Sequence, residues 1–236
     1  MDLLLLGGMM CDERLWSQQI RSLAAHFDSI HIADLTRQDS IRMMASDALA
    51  SAEKPCVMVG LSLGGIVAFE CWRQAPEKIR GLVLLDTNPF AEKADRQALR
   101  GAEIGRARRG ELREMMIDGF KPAYLGSRQR DNEALLGEIL DMAVELGADV
   151  FERQSVALRD RLDSTHTLPT ITVASTVVCG EEDQLCPPDY HRFMAKNIPK
   201  SEFHLIPRCG HLSAMEAPWD VSRFILDTAA RSAHAA

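Results

Sequence analysis

Ser62 is the side chain in this sequence whose setting best suits covalent chemistry. Residues 60–64 read Gly-Leu-Ser-Leu-Gly, and a further glycine follows. The apolar residues 56–59 predict a buried strand and residues 63–74 predict a helix, so the serine lies at a sharp strand-to-helix turn. At such a turn a serine projects above the sheet, beside helix N–H groups that favour developing negative charge. The run predicts a nucleophile; the alternative is a glycine-rich turn whose serine has no chemical role.

A general base is the next requirement, because serine is a weak nucleophile at neutral pH. Among the seven histidines, His211 stands just after the last predicted strand, at the sheet edge where open α/β folds place their sites. An acid must orient its imidazole, and Asp183 follows the preceding strand. Asp86, at the end of the strand predicted at 82–85, is the rival acid. We predict that Ser62, Asp183 and His211 are the catalytic nucleophile, acid and base.

Two backbone N–H groups are candidates for an oxyanion hole, which acyl transfer needs to stabilise its tetrahedral intermediate. One is the N–H of Leu63, directly after the nucleophile. The other comes from the loop after the first strand, residues 7–10, and there we predict the N–H of Met9.

Strands and helices alternate through much of the chain, which predicts an α/β fold with a mostly parallel sheet and flanking helices. The predicted strands are residues 3–6, 29–33, 56–59, 82–85, 171–179 and 202–206. Residues 90–168 show no convincing strand; the helices predicted there are 91–108, 111–124, 131–146 and 148–162, divided by glycines such as Gly110 and Gly147. We therefore predict two domains: a core of residues 1–89 and 169–236, and a helical lid of residues 90–168 inserted in it.

The composition is that of an ordinary globular protein: of 236 residues, 46% are hydrophobic and 26% are charged. The formal net charge of −7, without a basic block, argues against nucleic-acid binding, which depends on neutralising phosphates. No apolar run approaches the ~20 residues that span a bilayer, and the apolar start is too short for a signal-peptide core. None of the six cysteines forms a C-x-x-C pair, so we expect no metal site, reduced thiols and a cytoplasmic location.

The sequence resembles the α/β-hydrolase superfamily over nearly its whole length. The matching pieces are residues 3–8 with Trp16, 60–65, 180–183 and 210–211, and the order Ser, Asp, His along the chain is that of the superfamily. The resemblance implies the α/β-hydrolase fold, a pocket capped by the helical lid, and no cofactor. One departure is a Gly-Gly pair before the predicted oxyanion donor, where many relatives carry His-Gly. The chain is most similar to small bacterial enol-lactonases, carrier-protein methyl ester esterases and the related menaquinone-pathway synthase.

The substrate pocket is expected between the turn at Ser62 and the lid. Besides Met9 and Leu63, its predicted lining is made of methionines and aromatic residues: Met10, Phe90, Met115, Met116, Phe120 and Tyr124. Such a lining favours a small, partly apolar acyl group, although any one of these side chains can instead pack the lid helices together. Residues 92–114 are rich in arginine, which could dock an acyl carrier protein or bind a carboxylate substrate; a solvated helix face explains the pattern more simply.

These features predict a serine hydrolase that cleaves a carboxylic ester, thioester or lactone through an acyl-enzyme on Ser62. The first alternative is a lyase or synthase of the menaquinone-pathway type, with Ser62 and His211 as acid and base on the same fold. The second is a ligand receptor or scaffold, against which the complete set of nucleophile, base and acid argues.

Overall fold

One sheet of six parallel strands runs through the protein, in a computed structural model that describes residues 1–233 and leaves the side chains of 119–122 outside the description. The strands are β1 (Asp2–Leu6), β2 (Ile30–Ala33), β3 (Cys56–Leu61), β4 (Ile79–Leu85), β5 (Ala174–Gly180) and β6 (Ser201–Ile206). Their order across the sheet is β2-β1-β3-β4-β5-β6. Each predicted strand is confirmed. β5 begins at Ala174, three residues later than predicted, after a single helical turn over Leu168–Thr170.

Ten α-helices connect or flank the strands in the described chain. They are α1 (Ser17–Leu23), α2 (Ile41–Ser51), α3 (Leu63–Gln74), α4 (Ala94–Arg106), α5 (Leu112–Met115), α6 (Lys121–Tyr124), α7 (Glu133–Arg159), α8 (Pro188–Asn197), α9 (Ser213–Glu216) and α10 (Pro218–Ala233). The sheet is covered on both faces, as the parallel arrangement requires. No helix among the described residues combines the length and apolar character needed to cross a lipid bilayer.

The sheet separates two apolar cores, and β1 shows why. Its leucines alternate between the faces: Leu3 and Leu5 belong to one core, Leu4 and Leu6 to the other, and all four are fully buried. Side chains of α1 and α10 fill the first core, and those of α2, α3 and α8 fill the second. A strand buried on both faces needs a continuous apolar run rather than alternation, which is what residues 3–6 provide.

Residues 90–168 leave the sheet between β4 and β5 and contain α4 to α7, with no strand among them. The helices predicted at 131–146 and 148–162 form one element, α7, whose backbone breaks at Gly147 (φ 79°, ψ 177°). The helix predicted at 111–124 is shorter than expected: α5 and α6 are joined by wider, π-type turns over Met116–Phe120. The helical character of this segment is thus confirmed, whereas its boundary as a separate domain stays a prediction.

The turn between β3 and α3 depends on two glycines. A Cβ added at Gly60 would lie 2.5 Å from the carbonyl oxygen of Gly64, and one added at Gly64 would overlap the carbonyl oxygen of Leu6 on β1. Both obstacles are backbone atoms, so no side-chain rotation can relieve them. Glycine is therefore required at these two positions.

We expect Gly64→Ala to destabilise the protein, because the added methyl group must displace the backbone of β1. Overpacking of this kind typically costs about 1–3 kcal/mol, which lowers Tm by roughly 2–12 °C in a chain of this length. Gly101→Ala is the matched control: a Cβ there meets no atom within 4 Å on the exposed face of α4, and alanine favours a helix. Thermal unfolding followed by circular dichroism makes the comparison; equal Tm values for the two variants would contradict it.

Candidate active site

Ser62 occupies a strained position between β3 and α3. Its backbone has φ 54° and ψ −112°, a conformation that residues other than glycine rarely adopt. Its N–H donates to the carbonyl oxygen of Leu85 on β4 at 3.0 Å, and its own carbonyl oxygen accepts the hydroxyl of Thr87 at 2.7 Å. The neighbouring strand therefore holds the turn from both sides, and strain of this kind is typical of functional sites.

The predicted nucleophile, base and acid lie in one hydrogen-bonded line. Nε2 of His211 is 2.9 Å from Oγ of Ser62, and Nδ1 of His211 is 2.9 Å and 3.0 Å from the two carboxylate oxygens of Asp183. His211 and Asp183 are only 4% and 3% exposed. The three side chains come from three separate loops at the carboxyl ends of β3, β5 and β6.

Asp183 is fixed by the loop that carries it. Its Oδ1 accepts the backbone N–H groups of Leu185 at 2.8 Å and Cys186 at 2.9 Å, in addition to the imidazole of His211. These backbone donors hold the carboxylate of Asp183 in one orientation. It can therefore set the tautomer of His211, with the proton on Nδ1 and the lone pair of Nε2 facing Ser62.

Contacts with residues 124–126 position the loop of His211. The N–H of His211 donates to the carbonyl oxygen of Tyr124 at 2.7 Å. The buried carboxylate of Glu216 accepts the N–H of Gly210 at 2.9 Å and that of Gly126 at 2.8 Å. The 90–168 segment is thus bonded directly to the loop that carries the candidate base.

The charges around His211 raise its pKa. Burial by itself lowers the pKa of an imidazole, but the carboxylate of Asp183, with smaller contributions from Asp86 and Glu216, outweighs burial. The pKa of His211 therefore lies above the ordinary histidine value. Protonation of His211 is accordingly favoured more than in a free histidine, which suits a group that must carry a proton during a reaction.

Asp86, the rival acid, has other partners. Its two oxygens accept the N–H groups of Gly180 and Ser213, each at 3.0 Å, and it has no hydrogen bond to His211 among the described residues. Burial, followed by the nearby charge of Asp183, raises the pKa of Asp86 to about 7. Asp183, and not Asp86, is hydrogen-bonded to His211 among the described residues. Asp86 instead connects the end of β5 to the start of α9.

His191, one of the other histidines, is buried behind the site and is neutral. Its Nε2 accepts the backbone N–H of Thr87 at 2.9 Å, so this nitrogen carries no proton. Burial lowers the pKa of His191 to about 4. His191 thus positions Thr87, whose hydroxyl donates to the carbonyl oxygen of Ser62. It does not line the cavity beside Ser62, so it is not placed to exchange protons with a substrate.

The two predicted oxyanion donors belong to the first residue of α3 and to the loop after β1. Leu63 is the first residue of α3, so its N–H is one of the four that a helix leaves without an internal acceptor. Met9 lies after β1, and its side chain lines the same cavity as Ser62. The side chain of Leu63 points away from the cavity into the core that contains α2 and α3.

A cavity of about 480 Å³ opens beside Ser62 and His211. Of the side chains predicted to line it, Met9, Met115 and Tyr124 do so. The prediction is wrong for three others. Met10 and Met116 are buried in the apolar core, and Phe90 packs against Tyr190 and Phe193 at ring distances of 5.0 and 5.3 Å. The side chain of Phe120 lies outside the described residues.

One wall of the cavity is charged rather than apolar, which the sequence-based interpretation missed. The charged residues are Glu92, Arg96, Arg100, Glu103, Arg106 and Arg161. The sequence did contain an indication of this wall: the spacing of Arg96, Arg100 and Glu103 places three charges on one face of α4. That face was interpreted as solvated, but it covers the cavity.

Asp183 also belongs to two groups of atoms with metal-ligating chemistry. They are Asp183, Cys186 and His211, and Asp86, Cys179 and Asp183, and in each the donor atoms lie within 4.8 Å of one another. The carboxylate oxygens of Asp183 already accept hydrogen bonds from His211 and from backbone N–H groups. Burial raises the pKa of both thiols, so they are protonated at neutral pH and are poor ligands.

Comparison with known sequences places this arrangement in context. The family model described as the alpha/beta hydrolase family matches residues 3–221. A pimeloyl-[acyl-carrier protein] methyl ester esterase of Xanthomonas axonopodis pv. citri is 27% identical over 227 residues, covering 89% of this chain and 87% of the relative. The enzyme of the same name from Nitrosospira multiformis is 24% identical, covering 92% of this chain and 90% of its own.

Solved structures share the fold over almost the whole chain. A thermophilic esterase from Thermogutta terrifontis, solved with malate bound, has a TM-score of 0.89 at 25% identity and covers 98% of this chain and 90% of its own. The enol-lactonase from Burkholderia xenovorans has a TM-score of 0.85 at 18% identity, covering 97% of this chain and 91% of its own, which shows the fold alone. The expected α/β-hydrolase fold is confirmed, and the chain belongs to the alpha/beta hydrolase family.

Proposed function

We propose that the protein hydrolyses carboxylic esters through an acyl-enzyme formed on Ser62. The observation that carries the proposal is the line of hydrogen bonds from Ser62 Oγ through His211 to Asp183, at a strained turn that opens into a cavity. Each part answers a chemical need: a nucleophile, a base to remove its proton, and an acid to orient and stabilise the charged base.

In the first half of the reaction, Nε2 of His211 removes the proton of Ser62 as Oγ attacks the ester carbonyl carbon. The oxyanion of the tetrahedral intermediate accepts the N–H groups of Met9 and Leu63. His211 then gives the proton to the leaving alcohol oxygen, and the carbon–oxygen bond breaks. In the second half, His211 removes a proton from water, the hydroxide attacks the acyl carbon, and the proton returns to Ser62 as the acid leaves.

The relatives support an ester as the substrate. Two of them are named methyl ester esterases of an acyl group on a carrier protein, and a structural neighbour at 25% identity is an esterase. An acyl carrier protein is therefore the candidate macromolecular partner. The arginines Arg108, Arg109 and Arg113 lie exposed beyond α4, where Arg108 is paired with Glu152 and Arg109 with Glu111. In this proposal residues 90–168 act as the lid, because they supply the charged wall, Met115 and Tyr124 to the cavity.

A burst experiment tests the acyl-enzyme directly. With p-nitrophenyl esters of graded chain length, we expect one equivalent of p-nitrophenol per protein to be released before steady turnover, and Ser62→Ala to abolish the burst and lower kcat by about 10⁶-fold. Ser46→Ala, on the exposed side of α2, is the control and is expected to behave as the wild type. Turnover without any trappable acyl-enzyme would instead favour the lyase or synthase alternative.

The pH dependence tests the roles of the two acids. Because only neutral His211 can accept the proton of Ser62, kcat/KM is expected to fall as the pH drops through the pKa of His211, with a midpoint above the ordinary value of about 6.5. Asp183→Asn removes the main charge that raises this pKa, so the midpoint should move to lower pH and kcat should fall by about 10⁴-fold.

Asp86→Asn is the comparison variant for this profile. It removes a smaller contribution to the pKa of His211 and no hydrogen bond to the imidazole, so its loss of kcat should be much smaller than that of Asp183→Asn. A larger loss of kcat in Asp86→Asn than in Asp183→Asn would show that Asp86, and not Asp183, is the catalytic acid.

A further inference from the structure

Three charged side chains of the cavity wall form a buried cluster: Glu92, Arg100 and Arg161. One carboxylate oxygen of Glu92 lies 2.8 Å from Nη2 of Arg100 and 2.9 Å from Nη1 of Arg161. Each of the three side chains is only 8% exposed. They come from the start of the 90–168 segment, from α4 and from the residues after α7, so the fold brings them together from distant parts of the chain.

The cluster carries a net positive charge. Two guanidiniums, which stay protonated in proteins, share a single carboxylate. Burial tends to raise the pKa of Glu92, but Arg161 and Arg100 outweigh burial and lower it. The carboxylate is therefore ionised, and its one negative charge is shared by the two arginines. Glu103, the other acidic residue of the cavity wall, is already paired with Arg96 at 3.0 Å.

Among the described residues, the remaining partners of Arg100 and Arg161 are neutral. Nε of Arg161 donates to the carbonyl oxygen of Phe90 at 2.9 Å, and its Nη1 donates to that of Leu158 at 3.1 Å. Nη1 of Arg100 is 3.7 Å from the sulfur of Met9, which is a weak acceptor. The cluster therefore has two positive charges and one negative charge. A buried charge without a counterion is costly, so one more negative group would stabilise the cluster.

The contact with Met9 places this charge beside the reacting centre. Met9 carries the N–H that we assign to the oxyanion, and Ser62, Met9, Arg100 and Arg161 all line one cavity. Guanidinium groups bind carboxylates through paired, charge-assisted hydrogen bonds. Such pairs are stronger and more specific than hydrogen bonds between neutral groups.

We infer that the substrate is an ester that also bears a free carboxylate, which Arg100 and Arg161 bind while Ser62 attacks the ester carbonyl. The inference rests on the proposed function and deepens it by naming the substrate class: half-esters of short dicarboxylic acids. The bound carboxylate supplies the missing negative charge, and the cavity of about 480 Å³ limits the length of the substrate.

Paired substrates test the inference. Monomethyl adipate and the methyl ester of adipamic acid have nearly the same shape, but the second carries a neutral amide in place of the carboxylate. We expect kcat/KM, from methanol release, to favour the half-ester by about 10- to 100-fold. Equal values of kcat/KM for the two esters in the wild-type protein would overturn the inference.

Arginine variants locate the recognition. Arg161→Gln leaves Arg100 and Glu92 as a neutral pair, so the ratio of the two kcat/KM values should fall towards one; Arg100→Gln should act in the same way. Arg223→Gln, which breaks an exposed ion pair on α10, is the control and should keep the ratio of the wild type. A preference that survives in both Arg161→Gln and Arg100→Gln would contradict the assignment.

A binding measurement separates this inference from the proposed function. Isothermal titration of Ser62→Ala protein with monomethyl adipate should give a Kd that Arg161→Gln, combined with Ser62→Ala, weakens at least tenfold. If the wild type hydrolyses neither ester but this binding depends on Arg161, the proposed function fails and the carboxylate site stands. If the wild type hydrolyses both esters equally and binding is unchanged by Arg161→Gln, the carboxylate site fails and the esterase stands.

Discussion

The backbone of Ser62 is the constraint on which the rest of the site depends. A side chain held at φ 54° stands clear of both the strand before it and the helix after it. The conformation costs on the order of 1–3 kcal/mol, and it persists because the surroundings over-determine it. Glycine at 64 lets β1 approach closely, and glycine at 60 lets the start of α3 do so. The N–H of Ser62 donates to Leu85 and its carbonyl oxygen accepts the hydroxyl of Thr87, which completes the restraint.

Buried carboxylates organise the remaining loops at this edge of the sheet. Asp86 joins the end of β5 to the start of α9, and Glu216 joins the loop before His211 to Gly126. Among the described residues neither acid is hydrogen-bonded to Ser62. Asp86 fixes the distance between the segments that carry the candidate acid and base, and Glu216 fixes the loop of the base against residues 90–168. The bond from His211 to the carbonyl of Tyr124 also links that base to residues 90–168. The position of the imidazole and that of the covering helices are therefore set together.

The sequence alone identified the fold, the parallel strands and the three side chains that meet at the site. These features are predictable because each has a local cause: continuous apolar runs for strands buried on both faces, glycines for a tight turn, and polar residues directly after strands. From the sequence, the position of Asp183 after β5 was the only reason to prefer it to Asp86 as the catalytic acid. The hydrogen bonds that occupy both oxygens of Asp86 depend on the folded structure.

The cavity was harder to predict, because its lining depends on how separate helices pack. Met10, Met115 and Met116 all belong to the buried core, but of the three it is Met115 that also lines the cavity. The charged face of α4 has the pattern of a solvated helix, and only tertiary structure shows that Arg161, 61 positions after Arg100, meets it across Glu92. A pattern within one helix cannot reveal a partner that arrives from another part of the chain.

The central claim is that His211 makes the oxygen of Ser62 nucleophilic. The most direct measurement is labelling with a fluorophosphonate, followed by peptide mass spectrometry of wild-type protein and of His211→Ala. We expect a single adduct, on Ser62, that forms rapidly in the wild type and is slowed by several orders of magnitude in His211→Ala. Folded wild-type protein that takes no label, takes it on another residue, or reacts equally fast without His211 would contradict the account.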